Sequence, residues 1–173
     1  MNDICIGIDL GTCYSSVGYD DAHGVQFIKD PAAPYLTYSI PSSVLLRADN
    51  AYVFGELAES EKTATPEGYQ REFKRDLGSS IPYRLRDKQV LAAELSAKFL
   101  TFLAELTTTT LTAAPAATVI TVPAAYDQFR RSLIDDAARR AGLAGVSLVA
   151  EPVAAVISAA DRGEINDDTT ILV

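Results

Sequence analysis

Short apolar runs separated by turn-forming residues dominate the first part of the chain. The runs at 4–9, 14–19 and 25–28 have the length of β-strands, and the turns between them are tight. They therefore predict three antiparallel strands in a meander. The prolines of residues 31–46 predict a loop-rich stretch in which continuous strand pairing is prevented.

The middle of the chain predicts one more strand and three helices. Residues 51–55 read as a strand and 56–62 as a short helix, and residues 70–77 read as a helix that Gly78 caps. A longer helix is predicted over 87–107, where the threonine run that follows is expected to end it. Its predicted buried stripe consists of Leu91, Leu95, Phe99, Leu103 and Leu106.

Strand and helix patterns alternate over the rest of the chain. The predicted elements are a strand at 118–122, a helix at 127–142, a strand at 146–150, a helix at 152–163 and a strand at 169–173. The inward residues predicted for the first of these helices are Phe129, Leu133, Ile134, Ala137 and Ala141. Such alternation implies parallel pairing through crossover helices, so the fold class is α/β, with a mixed sheet and helices on its faces.

Composition and charge narrow the function. The 173 residues fit one domain or one lobe of a larger one, and their net charge of −8 argues against nucleic acid as a partner. The chain lacks a run of about 18 apolar residues, which argues against a membrane-spanning helix. Cys5 and Cys13 do not form a disulfide framework, which favours reduced thiols and a cytoplasmic location.

The turn after the first strand is the first candidate site. Gly11 at its apex lets backbone N–H groups form a small anion-binding concavity, and Thr12 adds a hydroxyl. A carboxylate at the end of a buried strand is costly beside phosphate unless a cation intervenes, so Asp9 is expected to hold Mg²⁺ or a monovalent ion. The alternative is an ordinary hairpin turn in which Asp9 caps its own backbone.

Two further charged residues are candidates for chemistry. Glu151 follows a strand and precedes Pro152, at the sheet edge where open α/β folds bind ligands, so it can orient or deprotonate a water. It can equally be a simple helix-capping residue. Lys74 lies in a polar segment, and taken alone it reads as a solvated charge.

Together these segments resemble the first lobe of the ATPase domain of the seventy-kilodalton heat-shock chaperone family (DnaK-type), within the actin-like ATPase superfamily with its ribonuclease H-like fold. The segments that carry the resemblance are IGIDLGTCYSSVGY, IPSSVLL, VFGELA, EFKRDLG, TVITVPAAYD, RRSLIDDAARRAGL and LVAEPVAAVISA with the final ILV. They cover nearly all of residues 1–173, so the whole chain is expected to be one such lobe.

The resemblance implies a role for each matching residue. In the family, the turn formed here by Gly11, Thr12, Cys13 and Tyr14 contacts the phosphates of ATP or ADP. The residue matching Asp9 organises Mg²⁺ and K⁺ there, and those matching Lys74 and Glu151 act in hydrolysis. Residues matching Pro123 and Arg131 relay the nucleotide state to a peptide-binding domain. For the whole protein that contains such a lobe, the resemblance implies three kinds of partner: unfolded peptides, a J-domain co-chaperone and a nucleotide-exchange factor.

The chain also departs from the family pattern. Cys13 replaces a second threonine, and the segment VPAAYD has Ala125 and Tyr126 instead of the usual Tyr-Phe-Asn, so the interdomain relay is expected to differ. The family's second phosphate hairpin, second lobe and peptide-binding domain do not appear in this sequence. The chain is therefore expected to be an amino-terminal fragment that binds ATP weakly or undetectably and does not turn it over.

Two other classes share parts of the pattern. An actin-like filament or scaffold ATPase of the MreB type has a similar first turn, but the EFKRDLG segment is typical of the chaperones. A small-molecule kinase needs a base on the substrate side, for which Asp127 is the one weak candidate.

Overall fold

A computed structural model describes residues 4–35 and 37–165 and shows a mixed α/β fold. The predicted strand at 169–173 lies outside the described residues. The large sheet is formed by β1 (Cys5–Asp9), β2 (Tyr14–Asp21), β3 (Gly24–Phe27), β4 (Ile40–Pro41), β10 (Ala117–Val122) and β11 (Val146–Ala150). A smaller sheet is formed by β5 (Ser43–Leu46), β6 (Tyr52–Phe54) and β7 (Tyr69–Arg71), and β8 (Tyr83–Leu85) pairs with β9 (Lys88–Val90). The α-helices are α1 (Gly55–Glu61), α2 (Ala92–Leu111), α3 (Gln128–Arg140) and α4 (Glu151–Asp161).

The large sheet joins the two halves of the chain in the order β11-β10-β1-β2-β3, with β4 paired to β2. β1, β2 and β3 form an antiparallel meander, as the sequence predicts. β10 lies parallel to both β1 and β11, which confirms the parallel pairing predicted for the carboxy-terminal half. The first strand is therefore flanked by β2 on one side and by β10 on the other.

The two faces of this sheet have different environments. Ile6 and Ile8 of β1 and Ile120 of β10 are buried in the main core, to which α2 and α3 also contribute. Residues of alternate parity, such as Val119, lie on the opposite face, where a groove of about 520 Å³ separates them from α4. Because strand side chains alternate between faces, Asp9 belongs to this second, open face.

Helix α2 provides much of the core. Leu95, Phe99 and Leu103 recur at helical spacing and are fully buried, as predicted. The ring of Phe99 lies 5.8 Å from that of Phe73 and 6.3 Å from that of Phe54, measured between centroids. These aromatic contacts join α2 to the segments that carry residues 54 and 73.

The bounds predicted for this helix were wrong at both ends. Residues 88–90 form β9, so the helix begins at Ala92, and Leu91, predicted in the buried stripe, is partly exposed at its N-cap. At the other end the helix continues through the threonines to Leu111, and the hydroxyls of Thr107, Thr108 and Thr110 donate to backbone carbonyls four residues earlier.

The helix predicted over 70–77 was also wrong. β7 ends at Arg71, and a 3₁₀ turn follows at Phe73–Asp76. Glu72 between them has a φ of 56°, in the left-handed region, which a continuous right-handed helix cannot contain. Lys74 therefore lies on a short 3₁₀ turn, and its side chain is buried instead of solvated.

Two other expectations need correction. Residues 31–46, predicted to be loop-rich, contain the strands β4 and β5. Pro41 does not prevent pairing, because β4 is a strand of only two residues in which the missing N–H of proline is tolerated. Phe129, predicted to point inward, is 58% exposed, while Ile134 and Ala137 of the same helix are buried. Among the described helices, none combines the length and the apolar composition that a membrane span requires.

Truncating Phe99 tests this assignment of the core. We expect Phe99→Ala to lower the free energy of unfolding by about 3–5 kcal/mol, because it removes a fully buried ring. The matched control is Phe129→Ala, for which we expect a loss below about 1 kcal/mol. Urea denaturation followed by circular dichroism measures both, and equal losses would contradict the assignment.

Candidate functional site

The turn between β1 and β2 has a conformation that only glycine allows at position 11. A Cβ built on Gly11 would lie 1.9 Å from the carbonyl oxygen of Tyr14, far inside van der Waals contact. The carbonyl of Gly11 accepts a hydrogen bond from the Ser42 hydroxyl at 2.9 Å, and the carbonyl of Cys13 accepts one from the Ser42 N–H at 2.9 Å. Ser42 thus holds the turn from its carbonyl side.

The N–H groups of the same turn lie opposite these carbonyl contacts. In the part of the chain that the structure describes, no group accepts a hydrogen bond from the backbone N–H of Gly11, Thr12 or Cys13. Unpaired successive amides of this kind can accommodate an anion, as the sequence predicts for this turn.

Asp9 ends β1 with its side chain in the cleft. Its side chain is exposed, because only one face of β1 is covered. Its Oδ1 accepts a hydrogen bond of 2.6 Å from the hydroxyl of Thr121, on the neighbouring strand β10. This bond fixes one carboxylate oxygen and leaves the other available to a cation or to water.

Lys74 is the most buried charged side chain of the site, with 3% of its side-chain surface exposed. Its ammonium donates to the carbonyl oxygen of Leu10 and, at 3.2 Å, to Oε1 of Glu151. Burial lowers the pKa of Lys74, while the charges of Glu151 and Asp9 and the hydrogen bond to Glu151 oppose that shift. The lysine is therefore a desolvated cation next to the turn between β1 and β2.

Glu151 is the first residue of α4, directly after β11. Its side chain is 44% exposed and pairs with the Lys74 ammonium. Among the described residues, no backbone amide donates to its carboxylate, and its place in the first turn of α4 suits an interaction with the helix dipole. The exposed oxygen is accessible from the cleft.

One cleft of about 610 Å³ collects most of the predicted residues. Its lining includes Asp9, Gly11, Thr12, Pro123 and Glu151. Lys74 is reached from this cleft through Glu151, to which it is bonded.

Besides Lys74, three predicted residues lie away from the lining of the cleft. The thiol of Cys13 donates to the Glu72 carboxylate over 3.7 Å, and the ring of Tyr14 is 56% exposed. The Nε of Arg131 donates to the carbonyl of Tyr126 at 3.1 Å. Cys13 and Tyr14 can therefore contribute to the site through their backbone. Arg131 does not line the cleft and contacts the segment that follows Pro123.

Sequence reasoning missed several groups that complete the site. Thr121 was predicted only as part of a strand, although its parity on β10 places it on the same face as Asp9. The Leu10 carbonyl and Ser42 become part of the site through contacts across 64 and 31 residues, for which the local sequence contains no signal. The wall of the cleft that α4 forms carries small side chains, those of Ala154, Ala155 and Ser158.

A mixed sheet with a glycine-containing turn after its first strand, opening on a cleft at its edge, is the architecture of an actin-like ATPase lobe. The chain belongs to the Hsp70 family: the family model described as "Hsp70 protein" matches residues 5–173. The family resemblance and the fold class inferred from the sequence are both confirmed. Membership of this family implies nucleotide binding.

Curated relatives agree with this assignment. The chain is 33% identical to the chaperone protein DnaK of Endomicrobium trichonymphae, with 88% of the chain and 25% of that protein covered. It is also 33% identical to a chaperone protein HscA homolog of Bordetella petrii, with 90% and 28% covered. A DnaK of Mesomycoplasma hyopneumoniae is 30% identical, with 90% and 25% covered.

The chain spans about a quarter of the length of these relatives. All of them are chaperones, which supports a chaperone ATPase and does not favour the MreB-type filament alternative.

Substitution of Gly11 tests the geometry of the turn. We expect Gly11→Ala to lower the free energy of unfolding by at least about 1 kcal/mol, because the new Cβ overlaps the Tyr14 carbonyl. The matched control is Gly7→Ala in β1, where a Cβ has no heavy atom within 4 Å and we expect little change or a small gain. Chemical denaturation of both variants is the measurement, and an unaffected Gly11→Ala would contradict the geometry.

The lowered pKa of Lys74 predicts a pH-dependent stability. Between its lowered folded pKa and the ordinary value of 10.5, the unfolded chain binds more protons, so this residue makes unfolding less favourable as pH rises. We therefore expect the difference in the free energy of unfolding between the wild type and Lys74→Met to increase as the pH is raised toward 10.5. Denaturation curves at successive alkaline pH values measure this difference, in which the other titrating groups cancel.

Glu151→Gln provides the companion variant for that experiment. The Glu151 charge opposes the lowering of the Lys74 pKa, so its removal should move the rise to lower pH. Parallel stability profiles for wild type and Lys74→Met would contradict the burial of a charged lysine.

Proposed function

We propose that the described site binds the phosphates of ATP and takes part in its hydrolysis, within a chaperone ATPase. The observation that carries the proposal is the convergence on one cleft of the Gly11 turn, the Asp9 carboxylate and the Lys74–Glu151 pair. Each of these groups has a distinct task in phosphoryl transfer, in which positioning and charge stabilisation provide most of the catalysis.

The turn is proposed to hold the β- and γ-phosphates. The N–H groups of residues 11–13, which have no acceptor among the described residues, supply donors for phosphate oxygens, and the Thr12 hydroxyl supplies one more. The absence of a side chain at Gly11 lets the phosphates approach the backbone.

Lys74 is proposed to stabilise the charge on the transferred γ-phosphate. An ammonium has three N–H donors, and in the described residues the acceptors of Lys74 are the Leu10 carbonyl and Glu151, so one donor remains for a phosphate oxygen. A desolvated cation interacts more strongly with developing charge than a solvated one, which gives the burial of Lys74 a catalytic reason.

Asp9 is proposed to organise Mg²⁺, with K⁺ as a second candidate cation. Within residues 4–35 and 37–165 no group of three or more candidate metal-ligating side chains occurs. A single carboxylate beside a phosphate-binding turn fits Mg²⁺, which usually takes one or two carboxylates together with phosphate oxygens and waters. When bound, the cation would neutralise phosphate charge, and Thr121 would keep the carboxylate in place.

Glu151 is proposed to orient the attacking water. Its carboxylate is partly solvated, faces the cleft and is held by Lys74, so it can accept a hydrogen bond from water beside the γ-phosphate.

The activity of the whole protein is proposed from the family. Hydrolysis would control the binding of unfolded peptides, with Pro123 at the cleft and Arg131 behind it relaying the nucleotide state. A J-domain co-chaperone and a nucleotide-exchange factor would drive the cycle. We further propose that residues 1–173 act as the amino-terminal lobe, in the cytoplasm, where its two free thiols stay reduced.

Lys74→Ala in the complete natural protein tests this function. We expect ATP turnover to fall on the order of a hundredfold or more, because the charge on the transferred phosphate loses its cation. Nucleotide affinity should change little, since the turn amides and Asp9 remain. Single-turnover hydrolysis and isothermal titration separate the two effects.

The matched control is Lys98→Ala, an exposed lysine on α2 that should leave turnover unchanged. Normal turnover in Lys74→Ala would refute the role proposed for this residue.

A further inference from the structure

Tyr126 has no role in the function proposed above, yet it contacts the Lys74 segment directly. It ends a tight turn after β10, in which its N–H donates to the carbonyl of Pro123 at 3.0 Å. The Tyr126 side chain is half-buried, and its hydroxyl donates to the backbone carbonyl of Lys74 at 3.2 Å. Tyr126, 52 positions further along the chain, is thus hydrogen-bonded to the backbone of the 3₁₀ turn at Lys74.

The aromatic ring of Tyr126 also lies near the charged end of Lys74. The ammonium is 5.8 Å from the ring centroid, within the range of a cation–π interaction. Such interactions gain strength where the cation is desolvated, and Lys74 is almost fully buried. One side chain therefore contacts both ends of the lysine, its carbonyl and its ammonium.

Neighbours of Tyr126 strengthen this attachment. Arg130 lies 5.9 Å from the centre of the same ring, and its Nε donates to the Leu77 carbonyl at 3.1 Å. The 3₁₀ turn at 73–76 is consequently held at the Lys74 carbonyl by Tyr126, and at the carbonyl of Leu77, the residue after it, by Arg130 of α3. The 3₁₀ segment is only four residues long and has few hydrogen bonds of its own, so these contacts define where its lysine lies.

We propose that Tyr126 is a positioning residue for Lys74, fixing the lysine through its hydroxyl and its ring so that the ammonium meets the transferred phosphate. The catalytic consequence of this proposal rests on the proposed function. The placement of Lys74 by Tyr126 does not, because both residues belong to this chain and their contacts require no nucleotide. Tyr126 acts through the lysine and does not contact the reacting atoms.

The first test observes the lysine directly, without ATP. The sequence contains five lysines, so a ¹H–¹⁵N correlation spectrum of the ammonium groups is simple, and Lys74→Arg identifies the Lys74 signal by its loss. We expect Tyr126→Leu to shift that signal markedly, since the ring is lost, and Tyr126→Phe to shift it much less. The matched control is Tyr35→Leu, at a tyrosine that is 83% exposed, which should leave the signal in place.

The second test uses ATP turnover in the complete natural protein. We expect Tyr126→Phe to lower kcat on the order of threefold and Tyr126→Leu on the order of tenfold, with KM little changed in both. In a Lys74→Ala background, Tyr126→Leu should cause no further loss, because a residue that works through the lysine has no effect once the lysine is absent.

The possible outcomes distinguish this proposal from the function on which it rests. An unmoved Lys74 signal in Tyr126→Leu, or an equal loss of turnover in the two backgrounds, would overturn the role of Tyr126. If Tyr126→Leu does not fold, unchanged kcat in Tyr126→Phe together with an unmoved Lys74 signal would overturn it as well. A shifted signal combined with normal turnover in Lys74→Ala would instead refute the proposed function and leave the placement of the lysine intact.

Discussion

The buried ammonium of Lys74 holds the site together. It bonds to the carbonyl of Leu10 and to the carboxylate of Glu151, partners that lie 64 and 77 residues away along the chain. A desolvated charge is costly unless it is partnered, so the fold must bring these three segments together to keep the lysine in its place. The turn after β1, the 3₁₀ turn and the start of α4 are thereby fixed relative to one another.

The large sheet explains why the polar groups meet at one edge. β1, β10 and β11 run parallel, so their carboxyl ends, with Asp9, Pro123 and Glu151 at or just beyond them, reach the same side of the sheet. One face of the sheet is covered by α2 and α3, while the other remains open toward α4. The cleft lies where that open face meets the carboxyl ends of the strands, which is why its carboxylates are accessible and its lysine is not.

Local patterns predicted most elements and the residues of the first turn, because alternation, glycine and strand–helix order are encoded within a few residues of each other. The prediction failed where distant contacts decide. The left-handed backbone at Glu72 replaces the expected helix, so Lys74, which reads as a solvated charge in a polar segment, becomes a core residue. Likewise, the exposure of Phe129 and the bond from Thr121 to Asp9 depend on which elements become neighbours, and no short stretch of sequence encodes that.

The alternation of side chains along β1 constrains the number of residues in this strand as strictly as their identity. Ile6 and Ile8 face the core, and Asp9, one step further on, faces the open side. Inserting a single residue between Ile8 and Asp9 would reverse that relation and turn the acidic group toward the apolar interior. Length variation among natural versions of this lobe should therefore be confined to the surface connections and absent from its first strand.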